Sequence, residues 1–371
     1  MAVGSYWLFV ILGLALRTTR KERKKCTFGK NIVSLHFVTV HNAMNPYILL
    51  YKTLLPRRYK HYLQRAGGNT DMCHETLLHG TFYEEYELYG FADKDEAERR
   101  EYLTDAVRNK ICRHVNSRKG ERTVADKWLT YCRLKEFYHR RVMLLDSDSA
   151  MAEAAALGCR AGELVAKPAN QCGGRGVQLL NGGDSKEEWL SLLKDKQGWV
   201  IEERIEQDTA LAQWNPSSVN TIRINTFQRN GQVTLFTSFI RTGRSGSFVD
   251  NGFLGGLFAS IDTGTGMIIT DGYDEKGLPY PAHPDSGVPY RGTQIPRWQE
   301  LRQLSEKMAK AIPDMVYIGW DMALTPNGWE PVEANRGEFV AQQVTQGHGM
   351  RHEFERLCGY SHSARHKNTT L

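Results

Sequence analysis

A short stretch near the C-terminus, residues 319–335, constrains the fold more than any other part of the chain. It has the pattern of two strands joined by a turn at residues 325–329. Pro326 suits the first central position of a type I turn, and Gly328 suits the left-handed position that follows. The pattern predicts a three-residue hairpin loop with a bulge, and in that register Thr325 lies opposite Trp329.

The predicted register brings three oxygen-bearing side chains together. Asp321 lies opposite Glu333, and Asn335 lies two residues further along the second strand. Because side chains alternate along a strand, all three share one face. Two carboxylates and an amide oxygen form a hard-oxygen site suited to Mg²⁺ held together with phosphates. The alternative is an edge hairpin whose polar face is solvated.

The composition is that of an ordinary core-forming chain. It has 371 residues, 41% hydrophobic and 24% charged, which is enough for two or three domains. The net charge is +6, but much of the excess lies in one basic run from Arg17 to Lys25, which argues against a general nucleic-acid-binding protein. The seven cysteines contain no Cys-x-x-Cys pair, which favours a reducing compartment and disfavours a disulfide framework or a zinc site.

An apolar stretch, residues 6–16, precedes the basic run. It is too short to span a bilayer, which takes about 20 residues. The positive charge follows the apolar stretch, so a cleavable signal peptide is not expected. Two interpretations remain. The segment is a buried or docked helix, or residues 5–25 form a peripheral anchor that meets anionic lipid. Both place the body of the protein in the cytoplasm.

The sequence pattern changes from helical to strand-like near residue 164. Before it, residues 93–115 and 123–145 have helical character. After it, short strand-like runs alternate with Gly- and Asn-containing turns, and a helix is predicted over residues 296–311. The predicted strands are residues 164–167, 177–180, 199–202, 219–228, 233–241 and 254–262.

A glycine-rich loop follows the strand that ends at Lys167. Gly173, Gly174 and Gly176 lie in this loop, whose backbone N–H groups can fold over phosphate oxygens. No Gly-Lys-Ser/Thr sequence follows and no helix starts there, so it is not a Walker A motif. A flexible hairpin is the alternative. Lys167 favours the phosphate interpretation, because it places a cation where a nucleotide would lie.

Acidic residues follow the strand at residues 199–202. An apolar strand that runs into Glu202 and Glu203 can hold adenine through backbone groups. A carboxylate a few residues later, such as Asp208, can hold the ribose hydroxyls. The alternative is a strand end with solvated acids.

Two arginines on the longest predicted hairpin are candidates for fixed positive charge. The turn contains Asn230–Gly231, a strong hairpin pattern. A two-residue turn places Arg223 and Arg241 on opposite faces, whereas a three-residue turn places them on one face. If both point inward, they supply the charge that phosphoryl transfer and carboxylate binding need. The sequence leaves both registers open.

Taken together and in this order, the motifs resemble the ATP-grasp superfamily, and within it the sugar-transfer-associated ATP-grasp proteins. The resemblance covers residues 123–357. The segments that carry it are Asp126–Lys127, Lys167, residues 173–177, residues 202–205, Ser218-x-Asn220–Thr221-x-Arg223, residues 319–321 and Glu333-x-Asn335.

The resemblance implies a nucleotide site in the first half of this region. Lys127 and Lys167 would contact adenine and the α- and β-phosphates, and the loop from Gly173 to Gly176 would close over the triphosphate. The adenine contacts would come from Glu202 and from the backbone of Glu203 and Ile205. Asp208, or Gln207 beside it, would hold the ribose.

It also implies the metal and catalytic groups. Asp321, Glu333 and Asn335 would bind two Mg²⁺ ions, with Glu333 bridging them. Arg223 would face the transferring phosphate. From the hairpin pattern, Arg241 is the second arginine expected at the reacting centre if both arginines point inward.

The fold implied by the resemblance is an α+β ATP-grasp fold. Two α+β lobes would clamp ATP, with a mostly helical N-terminal extension. The expected domains are an apolar and basic segment at 1–30, a region related to the substrate at 31–122, a first lobe at 123–205, a second lobe with the metal site at 206–360 and a flexible tail at 361–371.

The implied activity is that of an ATP- and Mg²⁺-dependent ligase. It would activate a carboxylate as an acyl phosphate for attack by an amine and release ADP, in cell-surface polysaccharide or secondary-metabolite biosynthesis. The expected partners are ATP, a small-molecule carboxylate and a nucleophile, and no nucleic acid. The alternatives are an ATP-grasp kinase acting on a sugar or polyol hydroxyl, and a non-catalytic nucleotide-binding module.

Overall fold

The computed structural model describes residues 26–28, 31–33, 45–171, 176–246, 255–337 and 339–360. The chain divides into two compact units, Met1–Pro56 and Arg57–Leu371. In the first unit, β1 and β2 form an antiparallel ribbon and α1 follows them; their bounds are Cys26–Phe28, Asn31–Val33 and Pro46–Leu54. The predicted membrane anchor at residues 5–25 lies outside the described residues. Among the helices that the structure describes, none has the length and apolar character needed to cross a bilayer.

Short helices fill the next stretch of the chain, which confirms the mostly helical extension. They are α2 (Pro56–Arg65), α3 (Thr70–His79), α4 (Tyr83–Leu88), α5 (Glu96–Glu101), α6 (Asp105–Val115), α7 (Arg118–Ala125) and α8 (Lys127–Leu134). Asn, Asp, Thr or Ser side chains accept backbone N–H groups at the starts of five of these helices and so fix where they begin; these residues are Asn69, Asp95, Thr104, Ser117 and Asp126.

Two of the predicted helical stretches are interrupted. Residues 93–115 divide into α5 and α6, because Thr104 caps a new helix with its side chain. Residues 123–145 do not form one helix: α8 ends at Leu134, and Val142–Leu144 is a strand, β3. Good helix formers are a weak guide when a cap or a sheet partner competes for the same residues.

The first sheet has four antiparallel strands in the order β3-β6-β4-β5. Its further strands are β4 (Glu163–Pro168), β5 (Gln178–Asn181) and β6 (Trp199–Glu203), and the helices α9 (Asp148–Ala161) and α10 (Lys186–Leu193) lie between them in sequence. The two helices and the sheet share one core, in which Trp189 is fully buried. Gly158 makes room for it, since a Cβ there would lie 2.2 Å from the Trp189 ring.

The second sheet has seven strands in the order β11-β10-β9-β8-β7-β12-β13. Their bounds are β7 (Thr221–Arg229), β8 (Gln232–Thr242), β9 (Leu257–Ile261), β10 (Gly272–Tyr273), β11 (Pro279–Tyr280), β12 (Tyr317–Thr325) and β13 (Gly328–Asn335), with α11 (Thr209–Ala212) before them. One face packs against α12 (Trp298–Ala311) around the largest core of the described chain. The other face carries the charged residues described below.

Two helices close the described chain and connect the N-terminal helices to the second sheet. They are α13 (Val340–Gln346) and α14 (Arg351–Cys358). Gln343 on α13 accepts from Leu103 N (2.8 Å) and donates to Leu103 O (3.1 Å) and to the Tyr89 hydroxyl (3.0 Å). The adjacent Gln342 is also fully buried, yet neither end of its amide has a hydrogen-bond partner among the described residues.

This pair of neighbouring glutamines gives a stability prediction. We expect Gln343→Met to lower the free energy of unfolding by about 2 kcal/mol, because buried groups lose their partners. We expect Gln342→Met to leave it unchanged or raise it by about 1 kcal/mol, because an unpaired amide is replaced by an apolar group of similar shape. Urea unfolding of the two variants tests this. Equal losses in both would contradict the assignment of Gln342 as unpaired.

Candidate active site

The hairpin β12–β13 has a shorter turn than the sequence predicts. Thr325 pairs with Gly328 and Leu324 pairs with Trp329, so Pro326 and Asn327 form a two-residue turn. The expected three-residue loop, with Thr325 opposite Trp329, is therefore wrong. The shorter turn buries Trp329 in the core beneath the sheet.

A β-bulge then restores the predicted pairing further along the hairpin. Met322 pairs with Pro331, but Asp321 pairs with Glu333, so Val332 is an extra residue in β13. Asp321, Glu333 and Asn335 consequently share a face, as predicted. The shorter turn also places Glu330 on that face, opposite Ala323, whereas the predicted register would have put it opposite Leu324 in the core.

The hairpin β7–β8 resolves its register in the same way. Arg229 pairs with Gln232 across a two-residue turn, which by itself would separate Arg223 from Arg241. The pairing shifts by one between Thr226 and Asn225, and Thr221 then pairs with Arg241. Because of this bulge, both arginines face the same side.

Asp321 receives both arginines. Arg223 contacts it through Nε and through Nη2, and Nη2 lies 2.8 Å from Asp321 Oδ2. Arg241 Nη2 lies 3.1 Å from the same Oδ2 oxygen. The side chain of Asp321 is 3% exposed. Burial alone would raise the pKa of this carboxyl, but the two guanidinium charges outweigh burial and hold the pKa below its usual value. Asp321 therefore stays ionised.

The other members of the predicted metal set lie beside it. Glu333 is more exposed and pairs with Lys127, whose Nζ is 3.2 Å from Oε1. The Asn335 amide donates to Asp321 Oδ2 at 3.4 Å and accepts from Gly337 N at 2.7 Å. Gly319 lies between the two strands that flank it, and a Cβ there would stand 2.8 Å from the Asn335 Oδ1 oxygen. Because Gly319 has no side chain, the Asn335 amide has room to lie beside Asp321.

A second charged cluster lies at β6. Lys167 on β4 and Arg140 both pair with Glu202, and Arg140 Nη2 is 2.6 Å from Glu202 Oε2. Burial alone would raise the pKa of Glu202, but Arg140 and Lys167 together hold it below its usual value. Arg140 also reaches Glu330 on β13, with 2.7 Å between Nη1 and Oε2.

Sequence reasoning missed Arg140 and Glu330. No motif surrounds Arg140. For Glu330, however, the predicted register is itself physically unfavourable. In that register its carboxylate faces the core without a partner, which is too costly for a stable sheet. The conflict could have shown that the turn was one residue shorter.

The remaining nucleotide-site candidates lie near these clusters or outside the described residues. Glu203 accepts from Arg141 N at 2.7 Å, and Asp208 caps α11 by accepting from Ala210 N at 2.8 Å. Ile205 is partly exposed between them. Gly173 and Gly174 lie outside the described residues. Gly176 is described and takes a left-handed φ of +72°, and Lys127 donates to Gln171 O at the start of the same loop.

The donor set suits a hard divalent cation. Asp321 and Glu333 stand on paired positions of adjacent strands, and Asn335 is in contact with Asp321. Carboxylate and amide oxygens are the ligand types that Mg²⁺ takes in proteins. No group of three or more His, Cys, Asp or Glu residues in the described parts of the chain is placed to hold a metal, so a site here depends on the amide.

We expect Asp321→Asn to lower the free energy of unfolding by about 3 kcal/mol at pH 7, because Arg223 loses a buried charged partner. The loss should shrink below pH 4. A carboxylate with a lowered folded pKa contributes stability above its unfolded pKa, near 3.9, and this contribution disappears as the pH falls through the folded value. Urea unfolding at pH 7 and pH 3 measures both. Asp184→Asn, at an exposed position, is the control. A difference that is equal at the two pH values would refute the assignment.

Three solved structures illustrate what the chain is similar to. D-alanyl-alanine synthetase A from Vibrio cholerae O1 biovar eltor str. N16961 matches at 10% identity and a TM-score of 0.41, over 66% of this chain and 67% of that one. N5-carboxyaminoimidazole synthase from Aspergillus clavatus matches at 14% and 0.40, over 70% and 58%. L-amino acid ligase from Bacillus licheniformis matches at 13% and 0.40, over 66% and 50%. The chain thus spans less than two thirds of the last two proteins.

A family model described as sugar-transfer associated ATP-grasp matches residues 106–359, which is more than half of the chain. The predicted family and the predicted α+β ATP-grasp fold are confirmed, and the match agrees with the expected ATP-grasp ligase. It begins within α6, earlier than the residue 123 from which the motifs suggested it. A search of curated proteins found no match. The chain belongs to the sugar-transfer-associated ATP-grasp family.

Proposed function

We propose that this protein is a ligase that uses ATP and Mg²⁺ to join a carboxylate to an amine, with release of ADP and phosphate. The observation that carries the proposal is the meeting of Arg223, Arg241, Asp321, Glu333 and Asn335 on one face of the second sheet. Membership of the ATP-grasp family supports the use of ATP.

Asp321, Glu333 and Asn335 are the residues that would hold Mg²⁺, in our proposal as two ions with Glu333 between them. Bound there, Mg²⁺ supplies neutralisation of phosphate charge. The chain's own cations are placed for the same task. Lys127 contacts Glu333 and Lys167 contacts Glu202, so both lysines can turn to the oxygens of a triphosphate.

The reaction that fits this arrangement has two displacements. A carboxylate oxygen attacks the γ-phosphorus, the bond from that phosphorus to the bridging oxygen breaks, and ADP leaves. The amine nitrogen then attacks the acyl carbon, phosphate leaves with the bonding electrons, and the amine proton passes to solvent. Arg223 and Arg241 would orient the carboxylate and the transferring phosphoryl group. We assign no side chain as a general base.

Two alternatives lead to different products. A kinase of the same fold would leave the phosphoryl group on a sugar or polyol hydroxyl, and a nucleotide-binding module would bind ATP without turnover. A screen for ADP release across amino acids, small carboxylic acids and sugar derivatives distinguishes them. Free phosphate together with an amide supports the ligase, phosphate retained on the product supports the kinase, and binding without ADP supports the module.

The setting of the reaction is part of the proposal. The family description associates these proteins with sugar transfer, which favours cell-surface polysaccharide biosynthesis, with secondary-metabolite biosynthesis as the alternative.

We also propose peripheral contact with an anionic membrane. The first 70 residues contain 12 Lys and Arg and a single acidic residue, Glu22, and anionic lipid attracts such segments. Arg57 and Lys60 on α2 are exposed.

We expect Glu333→Gln to reduce ADP production by roughly 100-fold while the fold survives, because a ligand charge is lost and the side-chain shape is kept. Differential scanning calorimetry with Mg²⁺ and a non-hydrolysable ATP analogue gives the matching binding readout, since a ligand at 100 times its Kd stabilises the native state by about 2.7 kcal/mol. Glu153→Gln, at an exposed position on α9, should behave as wild type. Undiminished ADP production by Glu333→Gln would remove Glu333 from the metal site.

We expect the full chain to sediment with vesicles that contain phosphatidylserine but not with pure phosphatidylcholine vesicles, and to be released by 0.5 M salt. A variant with Arg20, Lys21, Arg23, Lys24 and Lys25 changed to Gln should bind less. Binding that is independent of lipid charge, or no binding at all, would refute the membrane contact.

A further inference from the structure

One buried arginine connects the two sheets. The side chain of Arg140 is 4% exposed. Its Nε and Nη2 lie 2.7 Å and 2.6 Å from Glu202 Oε2 on β6, and its Nη1 lies 2.7 Å from Glu330 Oε2 on β13. Nη1 also donates to Pro331 O at 3.0 Å. The guanidinium therefore holds a strand of the first sheet and a strand of the second at the same time.

The surroundings of Arg140 complete a nearly closed set of contacts. Tyr138 lies with its ring centre 4.8 Å from the guanidinium carbon. His139 N donates to Glu330 Oε2 at 3.1 Å. Lys167 pairs with the other oxygen of Glu202. Two carboxylates and two cations thus balance one another, and the two carboxylates and Arg140 are buried.

Holding two sheets together with a buried charged cluster is energetically unfavourable compared with apolar packing. Removing charges from water costs several kcal/mol for each ion, and apolar residues of similar size often stabilise a fold as well or better. What an arginine adds is direction, because its planar fork fixes two carboxylates at once. Glu202 is the predicted adenine-side acid, and Glu330 lies three residues before Glu333 on the proposed metal strand.

We propose that Arg140 is a positioning residue for the nucleotide, which fixes Glu202 relative to β13 and so sets the spacing between the adenine end and the phosphate end of bound ATP. The inference rests on the proposed function. Arg140 has a second consequence in the same site. If Lys167 turns to a phosphate oxygen, Arg140 is the cation that stays with Glu202 and keeps it ionised.

The charged groups that face Glu202 determine how a loss of Arg140 would show. Arg140 and Lys167 face it directly, while Glu330 and Tyr138 contact Arg140. With both cations present the pKa of Glu202 is lowered, so ATP affinity should not change between pH 6 and pH 8.5. Without Arg140, and with Lys167 turned to a phosphate oxygen, no cation stays with Glu202. Burial then raises the pKa of Glu202, so protonation as the pH falls should weaken binding.

The test is isothermal titration calorimetry of the full chain with Mg·ATP from pH 6 to pH 8.5. We expect Arg140→Met to raise the Kd at least 10-fold at pH 8.5 and further at pH 6. Arg140→Lys should keep the Kd independent of pH but weaker than wild type, because a point charge replaces the fork. Arg141→Met, the same change at the exposed neighbour, should match wild type.

A second variant tests the inference even if Arg140→Met does not fold. Glu330→Gln keeps an acceptor for Arg140 but removes the charge that ties it to β13, and we expect a Kd at least 3-fold above wild type with no pH dependence. Wild-type affinity in this variant, or a folded Arg140→Met that binds as wild type does, overturns the inference. Failure of the wild-type chain to bind Mg·ATP overturns the proposed function instead.

Discussion

The placement of charge in this molecule depends on two β-bulges. A shift of one residue in strand pairing moves every later side chain to the opposite face of a sheet. Both long hairpins have two-residue turns, and each contains one extra residue that a bulge absorbs. As a result, Arg241 joins Arg223, and Glu333 joins Asp321, on the face away from the main core. Without the bulges these groups would be divided between solvent side and core.

The charges gathered in this way neutralise one another in pairs. Asp321 is held by two arginines, Glu333 by a lysine, and Glu202 by a lysine and an arginine. For the buried Asp321 and Glu202, the neighbouring cations hold the pKa below its usual value, whereas burial alone would favour the neutral form. In the function that we propose, the same cations are the groups that a phosphate would contact.

Much of the architecture could be predicted from the sequence. The strand at residues 199–202 follows from its apolar run, and the helix at 296–311 follows from proline near a helix start. The predicted facing of Asp321 and Glu333 agrees with the structure only because a β-bulge compensates for a turn that is one residue shorter than predicted. The bulges could not be predicted, because a local turn pattern fixes the pairing near the turn and says nothing about an extra residue six positions later. Arg140 could not be predicted either, since its partners are separated from it by 62 and 190 positions. The roles of Lys127, Lys167 and Asp208 toward a nucleotide stay predictions.

The bulge in β13 has a consequence for how the length of this chain can vary. If Val332 is left out of the count, the side chains of β13 alternate between the two faces of the sheet along the whole strand. Val332 is therefore one residue inserted into an otherwise regular strand. Deleting Val332 would straighten the ribbon and still leave Glu330, Glu333 and Asn335 facing Asp321. An insertion at almost any other point of β13 would reverse the residues beyond it. The chain could therefore lose this one residue and keep Asp321, Glu333 and Asn335 on a shared face.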